Sequence, residues 1–336
     1  MKTIVLSLFA LVILAPSLAS VRAALPRGTQ QSEDEAKLSA DVARLYNEGK
    51  YEDALPLAKR LLAIREKVAG KNSLRVAIVL NTIGSLYLNR EKYFEASPYF
   101  ERSLKITETV LGQGDPTVAQ ILDRLALINY VRGEHSSAEE QYRRALAIRE
   151  KVLGPTNIEV LNSLSKLADF YEQTGDYKKA EEYLQRSIAG KESASDPSTN
   201  GLADTIYQYA CLKRKMNEPD SAKDLESRAA RLMPIASDRN SGVDPPEAGI
   251  VNGRALKLPR PSYPVEAKRS RTTGDVRVRV LIDEAGKVIR ACAIAGPSVF
   301  SKVSEAAAYR SVFSPTTVEG KPVKIIGRIE YHFTAN

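Results

Sequence analysis

The sequence predicts an α-solenoid of five helix pairs followed by a small α+β domain. Three observations predict it. Small residues recur every 42 positions through the first two thirds of the 336-residue chain, which is the signature of a stacked repeat. A short Ser/Asp/Asn/Gly/Pro segment then interrupts the pattern. Beyond it the apolar spacing changes from helical to strict alternation, the mark of half-buried strands.

The first residues read as a secretory signal. Lys2 gives a positive start, residues 4–14 are almost wholly apolar, and Pro16 follows. Small residues allow cleavage after Ala19 or after Ala23, so residues 1–23 are expected to be a signal peptide. The apolar run is shorter than the roughly 20 residues of an ordinary spanning helix; an uncleaved inner-membrane anchor is the alternative. The protein is therefore expected to be exported, most simply to the periplasm.

Composition excludes little but fits a soluble globular chain, with 43% hydrophobic and 27% charged residues,. The net charge of +8 is unevenly placed. From Ile250 to Asn336 there are 15 Lys+Arg against 7 Asp+Glu, whereas Ala24 to Gly249 carries 32 against 34. The basic character belongs to the C-terminal segment, where acidic peptides, lipid head groups or wall polymer fit an exported protein better than nucleic acid. Cys211 and Cys292 are the only cysteines. Export would permit a disulfide, but they fall in different expected domains, which favours two buried free thiols. With His135 and His332 they do not make a zinc spacing.

Residues 33–235 contain the repeats. Ala54, Ala96, Ala138, Ala180 and Ala222 are spaced by 42, as are Gly84, Ala126, Ala168 and Ala210. Gly49, Gly133 and Gly175 share a register whose other two places hold Glu91 and Asn217, and Gly70, Gly112 and Gly154 form a fourth ladder. In the second repeat Val79, Leu80, Ile83, Leu86 and Tyr87 mark one amphipathic helix, and Tyr93, Ala96, Tyr99, Phe100 and Leu104 mark the next,. A small residue at 84 and 96 lets two helix backbones approach. Glycine closes a hairpin and proline opens the next, as in Gly112-Gln113-Gly114-Asp115-Pro116.

The small pair twelve residues apart, the aromatics Tyr87 and Tyr171, the large residues Phe100 and Tyr142, and Pro234 resemble the tetratricopeptide (TPR) family. The 42-residue period and the stretch from Ala145 to Gly154 are similar to the repeats of kinesin light chains. The resemblance implies a right-handed superhelix whose concave face is lined by the first helix of each pair. By matching position, Asn81, Ser85, Asp123, Tyr130, Ser165, Asp169, Glu172 and Tyr207 are the expected groove residues; a solvated polar face without ligand is the alternative.

Residues 236–251 read as a linker, and residues 252–336 as the second domain. Val276, Val278, Val280 and Ile282 alternate with Asp275, Arg277, Arg279 and Leu281, a half-buried strand. Residues 284–287 turn into a second strand, 288–295. A helix follows over 298–311, then a last strand over 323–333; a short helix, 265–269, precedes the first strand.

Pro261 to Pro264 with Ala267, Gly274 to Val280, Ile282 to Gly286, Phe313-Ser314-Pro315, Gly320-Lys321-Pro322 and Phe333 resemble the C-terminal domain of TonB. That resemblance implies binding of an extended peptide by strand addition to a sheet edge, flanked by residues 258–264 and the last strand, with Arg260, Ser262, Tyr263, Lys324 and Arg328 as the expected contacts. The chain departs from TonB in lacking a histidine in its apolar run and a long Pro-rich spacer, and in carrying Ser311 where TonB has an aromatic.

No catalytic set is found. The glycines stand at repeat ends rather than in a phosphate loop. His135 occupies a packing position shared with Tyr51, Tyr93 and Tyr177. Glu139-Glu140 and Glu181-Glu182 lie next to Arg and Lys on exposed helix surfaces and read as solvated charge pairs. No cofactor and no metal are expected. The expected function is an exported non-enzymatic adaptor that binds protein or peptide ligands, with outer-membrane receptor segments or envelope polymer as further candidates. The alternative is a TonB-like accessory of transmembrane transport.

Overall fold

A computed structural model describes residues 30–193, 201–232, 254–318 and 320–334. The expected signal peptide and the whole of the expected linker lie outside the described residues. Among the described residues ten helices come first: α1 Gln30–Asn47, α2 Tyr51–Ala69, α3 Leu74–Asn89, α4 Tyr93–Leu111, α5 Pro116–Arg132, α6 His135–Leu153, α7 Ile158–Thr174, α8 Tyr177–Glu192, α9 Leu202–Lys215 and α10 Pro219–Leu232. They form five helical hairpins at the expected period.

The turn inside each hairpin explains one ladder. Lys50, Lys92, Glu134, Asp176 and Glu218 each donate their backbone N–H to a carbonyl five residues earlier, at 2.8–2.9 Å. This bond needs a left-handed residue just before the donor. Gly49, Gly133 and Gly175 supply it with φ between 74 and 90°. Glu91 and Asn217 hold the same conformation with φ of 57 and 64°, so the repeat imposes its backbone even where the side chain opposes it. The ladder at Gly84 has a different cause. A Cβ there would stand 2.8 Å from the Phe100 ring, which is wholly buried.

The chain divides after Phe170 into two compact units. In the first, Leu38, Val42, Leu45, Ala54, Ala58, Leu61, Val79 and Ile83 form one apolar cluster, and Ala96, Phe100, Ile121, Leu125 and Ile128 another. Asp115 caps α5 by accepting from the Thr117 N–H at 2.8 Å, with Pro116 in the first turn, where its missing donor costs nothing.

The second unit joins the last hairpins to the α+β region, which comprises β1 Ala255–Lys257, α11 Val265–Ser270, β2 Gly274–Ile282, β3 Val288–Ala295, α12 Ser298–Tyr309, β4 Val312–Phe313, β5 Thr317–Val318, β6 Lys321–Pro322 and β7 Ile325–Phe333. The main sheet is antiparallel in the order β3-β2-β7. Its register runs from Gly274 opposite Phe333 to Ile282 opposite Ile325. β1 pairs with β4, and β5 with β6.

One face of the sheet buries Val276, Val278, Val280, Ile329, Tyr331 and Phe333 against Phe300, Ala307 and Ala308 of α12 and Ala267 of α11. The Phe300 and Phe333 rings stack with centroids 3.9 Å apart. The opposite face was expected to be polar, with Leu281 among its outward residues. Instead Leu281 is wholly buried. With Cys292, Ile289 and Ile326 it joins Ile188, Leu202, Ile206, Tyr207, Cys211 and Ala229 of the last helices. Alternation alone does not reveal a second covering layer, and the one apolar residue among Asp275, Arg277 and Arg279 was its only sign.

Two substitutions test the turn argument by urea unfolding. Glu91→Gly should raise stability and Gly133→Ala lower it, each by about 1 kcal/mol.

Candidate functional site

The expected groove residues divide by burial. In the first unit, Asn81, Asp123, Tyr130, Ser165 and Asp169 are half-buried. Two of them, Asp123 and Asn81, make charged contacts that the sequence did not disclose. Asp123 accepts from the Arg149 guanidinium at 2.9 Å and from the Lys166 ammonium at 2.6 Å. Arg149 also donates to the Ser163 hydroxyl at 3.0 Å, and Asn81 accepts from Arg124 at 2.5 Å. Ser165 donates to its own helix, at Leu161 O, at 3.3 Å. The Tyr130 ring packs on His135 and Phe170, which gives His135 the packing role expected of it.

Burial sets the energetics of this network. The side chains of Arg149 and Asp123 are 6% and 10% exposed. Burial alone would raise the Asp123 carboxyl, but Lys166 and Arg149 overcome it and hold the group below the usual carboxylate range. Burial lowers Lys166, against the pull of Asp123, and lowers Arg124. Asp123 thus serves two cations at once, Arg149 and Lys166. Arg124 and Lys166 were missed as candidates although they stand 42 residues apart; that spacing was the available signal.

Three expected groove residues are corrected. Ser85 is buried and donates to Asn81 O at 2.8 Å, so its hydroxyl is spent within α3. Glu172 is buried and paired with Lys215 at 2.7 Å. Tyr207 is completely buried in the cluster that α9 shares with the sheet. In the repeat register it matches Asn81, Asp123 and Ser165, but the sheet covers that position in the last hairpin. Glu181, expected as one of the helix charge pairs, pairs with Lys213 at 2.7 Å and also accepts from the Tyr209 hydroxyl.

In the α+β region β7 is an outer strand of the sheet. Arg260, Ser262 and Arg328 are exposed. Tyr263 is half-buried, with its ring on Phe300 and Phe333 and its hydroxyl donating to Thr272 O, so it packs the short helix onto the core. Lys324 is a correction as a free contact, because Asp204 of α9 holds it at 2.6 Å. The other outer strand, β3, differs from β7: its Ala293 N–H donates to the Glu305 carboxylate at 2.8 Å. Burial pushes the Glu305 carboxyl up, against Lys215 4.0 Å away. Among the described residues no group of His, Cys, Asp and Glu could hold a metal ion, and no helix is long and apolar enough to cross a membrane.

The tetratricopeptide repeat family model matches residues 38–109, 75–151, 117–193 and 159–234, more than half of the chain. The chain belongs to the TPR family. The model for the Gram-negative bacterial TonB protein C-terminal matches residues 259–334, so a TonB C-terminal domain follows the TPR repeats, as the sequence resemblance implied. Among solved structures, BtubC (BKLC) from P. vanneervenii is 19% identical, with a TM-score of 0.52 over 61% of this chain and 91% of that one. A Podosopora anserina putative kinesin light chain with nearly identical TPR-like repeats is 18% identical, with a TM-score of 0.54 over 61% and 97%. These likenesses show the fold. No curated protein matches the chain. TPR and TonB C-terminal domains generally mediate protein–protein interactions and are generally non-catalytic.

Removing Asp123 tests the ionic network. Asp123→Ala leaves buried cations without their counter-ion and should cost about 3 kcal/mol in urea unfolding. Because the folded carboxyl lies below its unfolded value, its contribution is present above about pH 4 and fades as pH falls through the depressed value. The stability gap between wild type and Asp123→Asn should therefore narrow below about pH 4.

Proposed function

We propose that the protein is an exported, non-enzymatic adaptor of the cell envelope. Residues 1–23 act as the signal, residues 33–235 as a TPR module for one protein or peptide, and residues 252–336 as a TonB-like module that holds a second partner by strand addition. The observation that carries the reading is the strand order β3-β2-β7, which leaves β7 at the sheet edge. An outer strand offers unpaired N–H and C=O groups to an extended peptide. Arg260 and Arg328 are exposed and suit an acidic or polar partner segment. The TPR partner is read at the half-buried positions Asn81, Arg124, Lys166, Ser165 and Asp169. The alternative of a transport accessory touching outer-membrane receptors draws on the TonB family match, and it requires that deletion slow the uptake of a scarce nutrient such as a metal chelate.

A photocrosslinking residue at Arg328 or at Ser165 of the full chain should capture a different envelope protein from each position. The partner captured at Arg328 should also protect β7 backbone amides from hydrogen exchange. No capture at either position, or capture without protection of β7, would remove the adaptor reading.

A further inference from the structure

Cys211 and Cys292 are 81 positions apart and lie on either side of the expected linker, which favoured two separate thiols. The fold joins them. Cys211 stands on α9, in the repeat register of Ser85 and Asp169. Cys292 stands on β3, opposite Arg279 of β2, and α9 packs directly on β3. Both thiols are free and buried. They belong to one apolar cluster with Tyr207, Leu281 and Ile206.

We propose that Cys211 and Cys292 are a disulfide-forming pair whose bond staples the last TPR hairpin to the TonB-like sheet. The oxidant is a disulfide of low-molecular-weight or protein origin. One cysteine thiolate attacks that disulfide, forming a mixed disulfide and releasing the first thiolate of the oxidant. The second cysteine thiolate then attacks the mixed disulfide. The Sγ–Sγ bond forms, the second oxidant thiolate leaves, and the two cysteine protons end on the two released thiols. The two electrons lost by the cysteines reduce the oxidant.

Local chemistry fixes when this happens. Burial pushes the Cys211 thiol well above its ordinary value, with Cys292 adding to the effect, so the folded protein holds little of the thiolate that exchange requires. Closure belongs to the folding chain, before the cluster seals, and the finished bond is then shielded from reductant. Neither thiol is needed for the sheet edge or the ionic network of the TPR module, so the staple is independent of the binding reading. If the chain is exported as proposed, it folds where such oxidants are present.

The test uses the full chain, denatured and reduced, then refolded in a buffer of reduced and oxidised glutathione. A non-reducing peptide map should show Cys211 joined to Cys292 in the monomer, with the chain lighter by two hydrogens. Thermal unfolding of this form should begin higher than that of the same sample kept in reductant, because the bond closes a loop of roughly 80 residues in the unfolded chain. Cys211→Ala and Cys292→Ala should each make the midpoint indifferent to reductant. A refolded monomer whose two thiols both titrate after denaturation, or disulfides found only between chains, would overturn the proposal. So would an intramolecular bond that leaves the midpoint unchanged or lowers it, since the native geometry would then not accommodate the pair.

Discussion

A helical hairpin has two faces to bury and can cover only one by itself. Each repeat answers the need by stacking on its neighbour, and the last hairpin has no following repeat among the described residues. Its apolar surface, with Ile206, Tyr207 and Cys211 at its centre, is covered by Leu281, Ile289, Cys292 and Ile326 of the sheet. The TonB-like domain therefore does more than follow the array; it supplies the array with a terminal cover. Ionic contacts frame this apolar contact. Glu226 is buried and takes both Arg214 and Arg279, Asp204 holds Lys324, and Lys215 lies between Glu172 and Glu305. Buried charges of this kind add little net stability but penalise any arrangement that separates the partners.

The same cover decides which surfaces remain for binding. One sheet face packs on α11 and α12 and the other on the last hairpin, so neither broad face is open near β2. What remains of the sheet is its rim. At β3 a carboxylate already accepts a backbone donor, and β7 is the outer strand on the opposite side. In the TPR module the positions that are covered in the last hairpin stay partly open in earlier ones. Asn81, Asp123 and Ser165 share a register with Tyr207, yet only Tyr207 is sealed.

Much of the fold was legible because repetition multiplies a weak signal. A left-handed turn residue is hard to read from one glycine, but the register of Gly49, Gly133 and Gly175 predicted turns even at Glu91 and Asn217. The β2–β3 hairpin was legible from its alternation, and β3 was placed at its observed bounds. The last strand was read two residues too early, because Val323 fits the alternation while its N–H bonds to Thr316 O outside the sheet. The candidate sites were less legible. Exposure depends on what packs against a residue from elsewhere in the chain, so Tyr207, Glu172 and Ser85 looked like groove positions and are buried. Arg149, which no local pattern singled out, is buried and joins Asp123 to Ser163.

The sequence by itself determined the five hairpins, their turns, the strand-rich domain and the concentration of positive charge in that domain, because these rest on local periodicity and composition. Only the tertiary structure decided that Leu281 is core, that Lys324 is already occupied and that two cysteines from different domains meet. Each of these depends on contacts between segments far apart in the chain, and no local pattern encodes which distant surface will arrive.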